Sequence, residues 1–119
     1  MAAPENWISE TNDHGLTSLY NATDGFGAIQ ISVYTIPDGL FIDSVQELKS
    51  HLDEIYKSVD IATPYFNIVD EGGIYWRYWL FNFSNEVVFI TYNCEEPERG
   101  KEDIVVDSII KSIEASHFR

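Results

Sequence analysis

One stretch of the chain decides how its sheet has to pack, the eight residues Ile74-Tyr75-Trp76-Arg77-Tyr78-Trp79-Leu80-Phe81. Successive side chains of a β-strand point to opposite faces of the sheet. One face then carries Tyr75, Arg77, Trp79 and Phe81, and the other carries Ile74, Trp76, Tyr78 and Leu80. If helices cover only one face, the other face exposes large rings. We predict that the Arg77 face is the exposed one, because a charged side chain is rarely buried without a partner.

Further strands are predicted on both sides of this stretch. Gly72-Gly73 is typical of a two-residue hairpin turn and separates it from a strand over 66–71. Ser84-Asn85 predicts a second turn before a strand over 86–94, which is rich in residues that suit a pleated surface. Residues 28–35 alternate between apolar and polar side chains, and residues 16–20 are typical of a short strand before a turn at 21–25.

Two segments show the spacing of apolar residues that is typical of an amphipathic helix. The first follows a break at Pro37-Asp38-Gly39, and Ser44 with Glu47 matches a capping box at its start. Its apolar positions are Val45, Leu48, Leu52, Ile55 and Val59. The second covers 102–117, and its apolar positions are Ile104, Val105, Ile109, Ile110 and Ile113.

These elements predict one α+β domain over residues 1–119. The predicted fold is a two-layer sandwich in the order β-β-α-β-β-β-α. Its antiparallel sheet has about five strands, and both helices lie on one face.

The composition excludes several classes of function. The chain has 20 acidic residues against 7 Lys and Arg, a formal net charge of −13. A nucleic-acid binder needs a basic face, and an anionic membrane repels such a chain. No stretch approaches the ~20 apolar residues of a membrane helix. Cys94 is the one cysteine and forms no intrachain disulfide, so we expect a cytoplasmic protein.

We expect no enzyme activity, cofactor or metal. The three histidines, His14, His51 and His117, lack the spacing of a zinc pair, and the chain contains no CxxC or GxSxG motif. Adjacent acids do not by themselves provide the apolar pocket that acid catalysis needs.

The remaining features indicate a site for a protein partner. Trp, Tyr and Arg are enriched in interface hot spots, and a concentrated acidic field attracts a cationic partner. The predicted contacts are Asp70, Glu71, Tyr75, Arg77, Trp79, Glu95, Glu96 and Glu98. The alternative is that Trp7 with its neighbours, or a second copy of the chain, covers the rings.

Part of the chain resembles a known scaffold. Trp7, followed by a short strand and by Asp24-Gly25-Phe26-Gly27-Ala28-Ile29-Gln30-Ile31-Ser32-Val33-Tyr34, looks like small bacterial proteins with a PsbP/Mog1-like α+β fold. Ile109-Ile110-Lys111-Ser112-Ile113 is similar to the closing helix of that group. The resemblance implies a scaffold and carries over no active site.

A short, strongly acidic chain without enzyme motifs also resembles the immunity proteins of bacterial toxin–immunity pairs, including those of contact-dependent inhibition. That resemblance implies a protein that occludes the active site of a basic toxin domain such as a nuclease. Two alternatives stay open: a PsbP/Mog1-like adaptor or homodimeric module, and a small enzyme or small-molecule carrier with a pocket between sheet and helices.

Overall fold

The computed structural model describes residues 6–37, 42–56, 59–83 and 85–116. Within them the chain forms one sheet, two α-helices and a short 3-10 helix at Glu96–Glu98. The strands are β1 (Trp7–Thr11), β2 (Thr17–Asn21), β3 (Gly27–Thr35), β4 (Tyr65–Val69), β5 (Ile74–Phe83) and β6 (Glu86–Glu95), and the helices are α1 (Ser44–Ile55) and α2 (Asp103–Ser116).

The sheet joins two three-stranded meanders at its centre. Its order is β1-β2-β3-β6-β5-β4, and every neighbouring pair is antiparallel. The central pair aligns β3 with β6 from Gly27 opposite Cys94 to Thr35 opposite Glu86. The α+β class and the antiparallel sheet are therefore confirmed, whereas the predicted strand count of about five is one too low.

The two helices lie on opposite faces of the sheet, so the prediction of two layers with both helices on one face is wrong. Val106 and Ile109 of α2 share a buried cluster with Trp79. Leu48 of α1 shares a second cluster with Leu80, which points to the other face of the same strand. Because β5 has large apolar side chains on both faces, the sheet needs a cover on each side.

Arg77 lies under α2, and the prediction that its face is the exposed one is wrong. Its guanidinium donates hydrogen bonds to Asp107 at 2.7 Å and Asp103 at 3.4 Å on α2, and its Nε donates to the Tyr65 hydroxyl at 3.0 Å. Burial alone would lower the pKa of Arg77, but the hydrogen bonds to Asp107 and Tyr65 outweigh it and raise the pKa. The charge of Arg77 can be buried because α2 supplies two carboxylates, Asp103 and Asp107, that neutralise it.

The start of α2 is held against the sheet by a buried carboxylate. Glu102 accepts hydrogen bonds from the Tyr92 hydroxyl at 2.7 Å and from the Gly27 backbone N–H at 2.9 Å. A Cβ at position 27 would collide with the backbone carbonyl oxygen of Asn93, so this approach of β3 to β6 requires glycine.

Several local predictions need correction. Strand β1 was not predicted, because only Trp7 of its side chains reaches the core while the other four are exposed. The cap of α1 is Asp43 rather than Ser44, since the Asp43 carboxylate accepts from two backbone N–H groups of the first turn. Ile104 is 88% exposed, and Val106 takes the core position. Four residues named in the predictions lie outside the described residues: Asp38, Gly39, Ser84 and His117.

The contacts of Arg77 predict a specific loss of stability. We expect Arg77→Met to lower the free energy of unfolding by about 1–3 kcal/mol, because the apolar side chain keeps the volume and loses the charged hydrogen bonds. Urea unfolding measures this loss. The control is Lys49→Met, which removes an exposed pair with Asp53 on α1 and is expected to cost much less. Equal losses for the two variants would show that Arg77 contributes no more than a surface ion pair.

Candidate functional site

Helix α1 covers only part of its face of the sheet. Its 12 residues span about 18 Å, whereas a ten-residue strand such as β5 spans about 33 Å. At its start, the Asn82 side chain donates a hydrogen bond to the Ile42 carbonyl at 2.6 Å. At its end, the hydroxyls of Tyr56 and Tyr78 are 2.7 Å apart. The part of the face beyond Tyr78 is left without a helix.

The uncovered part forms an open groove of about 1000 Å³. Its floor is aromatic: the Trp76 and Tyr78 rings are stacked with centroids 5.8 Å apart, and Phe89 stacks beside Tyr78 at 6.2 Å. Ile55 at the end of α1 forms one wall and is 61% exposed. The other side ends at Ile68, on the edge strand β4.

Contacts between α1 and the sheet hold the helix over the part of the face next to the groove. The His51 ring stacks on Phe89 with centroids 4.6 Å apart, and the Tyr34 hydroxyl donates to Glu47 at 3.2 Å. Burial, with the nearby Glu47 carboxylate, raises the pKa of Tyr34 to about 12. Tyr34 therefore stays neutral, and its bond to Glu47 holds the first turn of α1 against the sheet.

Asp70 closes the far end of the groove and organises the β4–β5 turn. Its Oδ1 accepts hydrogen bonds from the backbone N–H groups of Gly72 at 2.9 Å and Ile74 at 3.0 Å, and its Oδ2 accepts from Trp76 Nε1 at 3.0 Å. The bond from Ile74, followed by the one from Trp76, lowers the pKa of Asp70. The same carboxylate thus shapes the predicted Gly72-Gly73 turn and fixes the orientation of the Trp76 indole.

The acidic residues of the predicted site come together at this end of the sheet. Ile74 pairs with Glu95, and the Glu96 backbone N–H donates to the Gly73 carbonyl at 3.0 Å. The turn that carries Asp70 and Glu71 therefore lies beside the end of β6. Glu71, Glu95 and Glu96 are exposed, whereas Glu98 is half-buried and pairs with Lys101 at 2.6 Å.

The aromatic residues of the predicted site do not lie in the groove. Tyr75, Arg77 and Trp79 are 6%, 8% and 7% exposed on the α2 face, so they are not available to a partner in this fold. The partly exposed rings of the groove are Trp76, on the other face of the same strand, and Phe89 of β6, whereas Tyr78 between them is buried. The alternation of residues 74–81 correctly predicts which side chains share a face, but the face that is partly open is that of Trp76 and not that of Arg77.

Neither helix of the described residues is long and apolar enough to cross a bilayer. Comparison with protein-family models gives no match, and comparison with curated proteins gives none either. A crystal structure from Bacteroides thetaiotaomicron VPI-5482 is similar in fold, with a TM-score of 0.57 and 14% sequence identity. The match covers 87% of this chain and spans 40% of that one. This likeness shows the fold alone.

The hydrogen bonds of Asp70 predict a pH-dependent contribution to stability. Because folding lowers its pKa, the charged carboxylate stabilises the fold above the ordinary carboxyl pKa near 3.9, and this contribution is lost as the pH falls through the lowered value. We expect Asp70→Asn to be less stable than the wild type at pH 7, and the difference to shrink as the pH falls from about 4 to about 2.

Urea unfolding across this pH range measures the difference. The control is Glu71→Gln in the same turn, which removes none of the three hydrogen bonds and should keep wild-type stability at pH 7. A stability difference for Asp70→Asn that stays constant down to pH 2 would show that the charge of Asp70 does not support the turn.

Proposed function

We propose that this chain is a non-enzymatic binding protein for a basic protein partner, of the kind that immunity proteins occlude. One observation carries the proposal: the acids of the β4–β5 turn and of the end of β6 lie together beside an open aromatic groove. Clustered charge accelerates the encounter with a cationic surface, and aromatic contacts slow dissociation. The partner would be a toxin domain such as a nuclease, whose basic active site the acidic end would cover.

The cations near this end support the proposal, because those the structure describes have contacts within the chain. Lys101 pairs with Glu98 and lies over the Phe26 ring at 4.9 Å, and Arg99 lies over the Tyr75 ring at 4.9 Å. Glu71, Glu95 and Glu96 have no ion pair with a described residue. Their charge is therefore directed to solvent and to whatever approaches from it.

The test uses the protein encoded beside this chain in its genome as the probe. We expect the two proteins to co-purify and to associate more slowly as salt rises. The variant Glu71→Lys/Glu95→Lys should reduce the association rate roughly tenfold at low salt. Asp13→Lys/Glu114→Lys changes the net charge equally, away from this end, and should have a much smaller effect. Equal slowing by both variants, or no binding, would contradict the proposal.

A second candidate function is a small-molecule carrier or enzyme, and the groove itself favours it. Its floor combines aromatic rings with the polar side chains of Gln30 and Thr91. The lowered pKa of Asp70 keeps that carboxylate charged at neutral pH, which does not suit a general acid. The groove is therefore better suited to binding than to proton transfer.

The adaptor or homodimer alternative makes a separate prediction. If a second copy covered the groove, the chain would sediment as a dimer at micromolar concentration, and Ile55→Glu would convert it to a monomer. Given the net charge of −13, we expect a monomer in low salt instead, because two identical acidic ends repel one another. A stable dimer that Ile55→Glu dissociates would favour this alternative over a heterologous partner.

A further inference from the structure

The α2 face shows how this chain binds a guanidinium group. Arg77 lies over the Trp79 ring at 4.6 Å and the Tyr65 ring at 5.4 Å, and its nitrogens reach the carboxylates of Asp103 and Asp107. Arginine suits such a site because its planar group stacks on aromatic rings while its N–H groups meet carboxylate oxygens. On the α2 face, the chain supplies both the guanidinium and the carboxylates that accept its hydrogen bonds.

The groove on the opposite face offers similar chemistry without a cation. Trp76 provides a partly exposed ring that stacks on the buried Tyr78 of the same strand, and Asp70 and Glu71 provide carboxylates at one end. The described residues that line the groove include no Lys, Arg or His. The Trp76 indole is already fixed by its bond to Asp70, so a ligand that stacks on it need not order the ring.

We infer that the groove receives an arginine side chain of the basic protein partner, an inference that rests on the proposed function. The guanidinium stacks on the Trp76 ring and points to Glu71 and to the remaining acceptor position of Asp70 Oδ2, while its methylene groups contact Ile68. Lysine fits less well, because a compact ammonium neither stacks nor binds a carboxylate in a bidentate manner. The charge of the groove thus selects a cation, and its rings select a planar one.

The test is a titration of ¹⁵N-labelled protein with a tetra-arginine peptide, followed by NMR at the indole N–H signals. The chain has three tryptophans, so three indole N–H signals are expected, and the Trp76→Leu variant identifies that of Trp76. We expect the Trp76 signal to move and those of Trp7 and Trp79 to stay. A tetra-citrulline peptide has the same shape without the charge, and we expect it to leave the Trp76 signal in place. Movement of Trp76 by both peptides, or by neither, would overturn the inference.

Affinities for the tetra-arginine peptide provide a second measurement. Trp76→Leu should weaken binding about tenfold, as expected for the loss of a cation–π contact and its buried surface. Since that variant also removes the bond to Asp70, Glu71→Lys is the second variant, because Glu71 is exposed and has no ion pair with a described residue. It should weaken binding more than Glu114→Lys on α2. Equal effects of the two lysine variants would show peptide binding to overall charge, not to the groove.

Failure of this inference and failure of the proposed function give different results. If the neighbouring gene product binds and Glu71→Lys/Glu95→Lys slows its association, but the Trp76 signal does not move in the complex, the arginine site is wrong and the function stands. If the tetra-arginine peptide enters the groove and the neighbouring gene product does not bind, the function is wrong and the groove remains an arginine site.

Discussion

The packing of β5 is the constraint on which the rest of the molecule depends. A strand with large rings on both sides cannot lie at a solvent-facing surface of a two-layer fold, so the sheet has to be covered twice. Helix α2 covers one face and neutralises Arg77 with Asp103 and Asp107. Helix α1 is shorter and covers part of the other face. The groove lies on this face, beside the end of α1 at Ile55 and Tyr56.

The acidic residues and the aromatic rings lie at one end of the sheet because the topology brings three segments together there. The β4–β5 turn, the end of β6 and the start of α2 are neighbours through the Glu96–Gly73 hydrogen bond and the contacts of Glu102. Asp70 links the two properties directly, since one carboxylate caps the turn and holds the Trp76 indole. The proposed binding surface is thus built on hydrogen-bonded strands and not on a long loop.

Local sequence patterns predict most of the secondary structure, whereas long-range contacts decide which faces of the sheet are buried. The alternation of 74–81, the Gly72-Gly73 turn and the spacing of Leu48 and Leu52 are local, and they predicted the strands, the hairpin and α1. Whether Arg77 is buried depends on Asp103 and Asp107, which lie 26 and 30 residues away. Their spacing of four residues on a predicted helix was the available signal for a buried counter-ion. Asp70 and Glu71 were placed in the site from sequence, but the groove depends on where α1 ends relative to the strands.

The central pairing of β3 with β6 also has a consequence for how the chain is made. Each hairpin closes over a few residues, whereas Gly27 meets Cys94 across more than half of the polypeptide. At roughly 5–20 residues per second, a ribosome needs several seconds between finishing β3 and releasing β6. During that interval the inner edge of the nascent first meander has unpaired backbone groups, which attract other strands. A chain that ends before β6 would therefore keep this edge of β3 unpaired, and we expect such a fragment to aggregate.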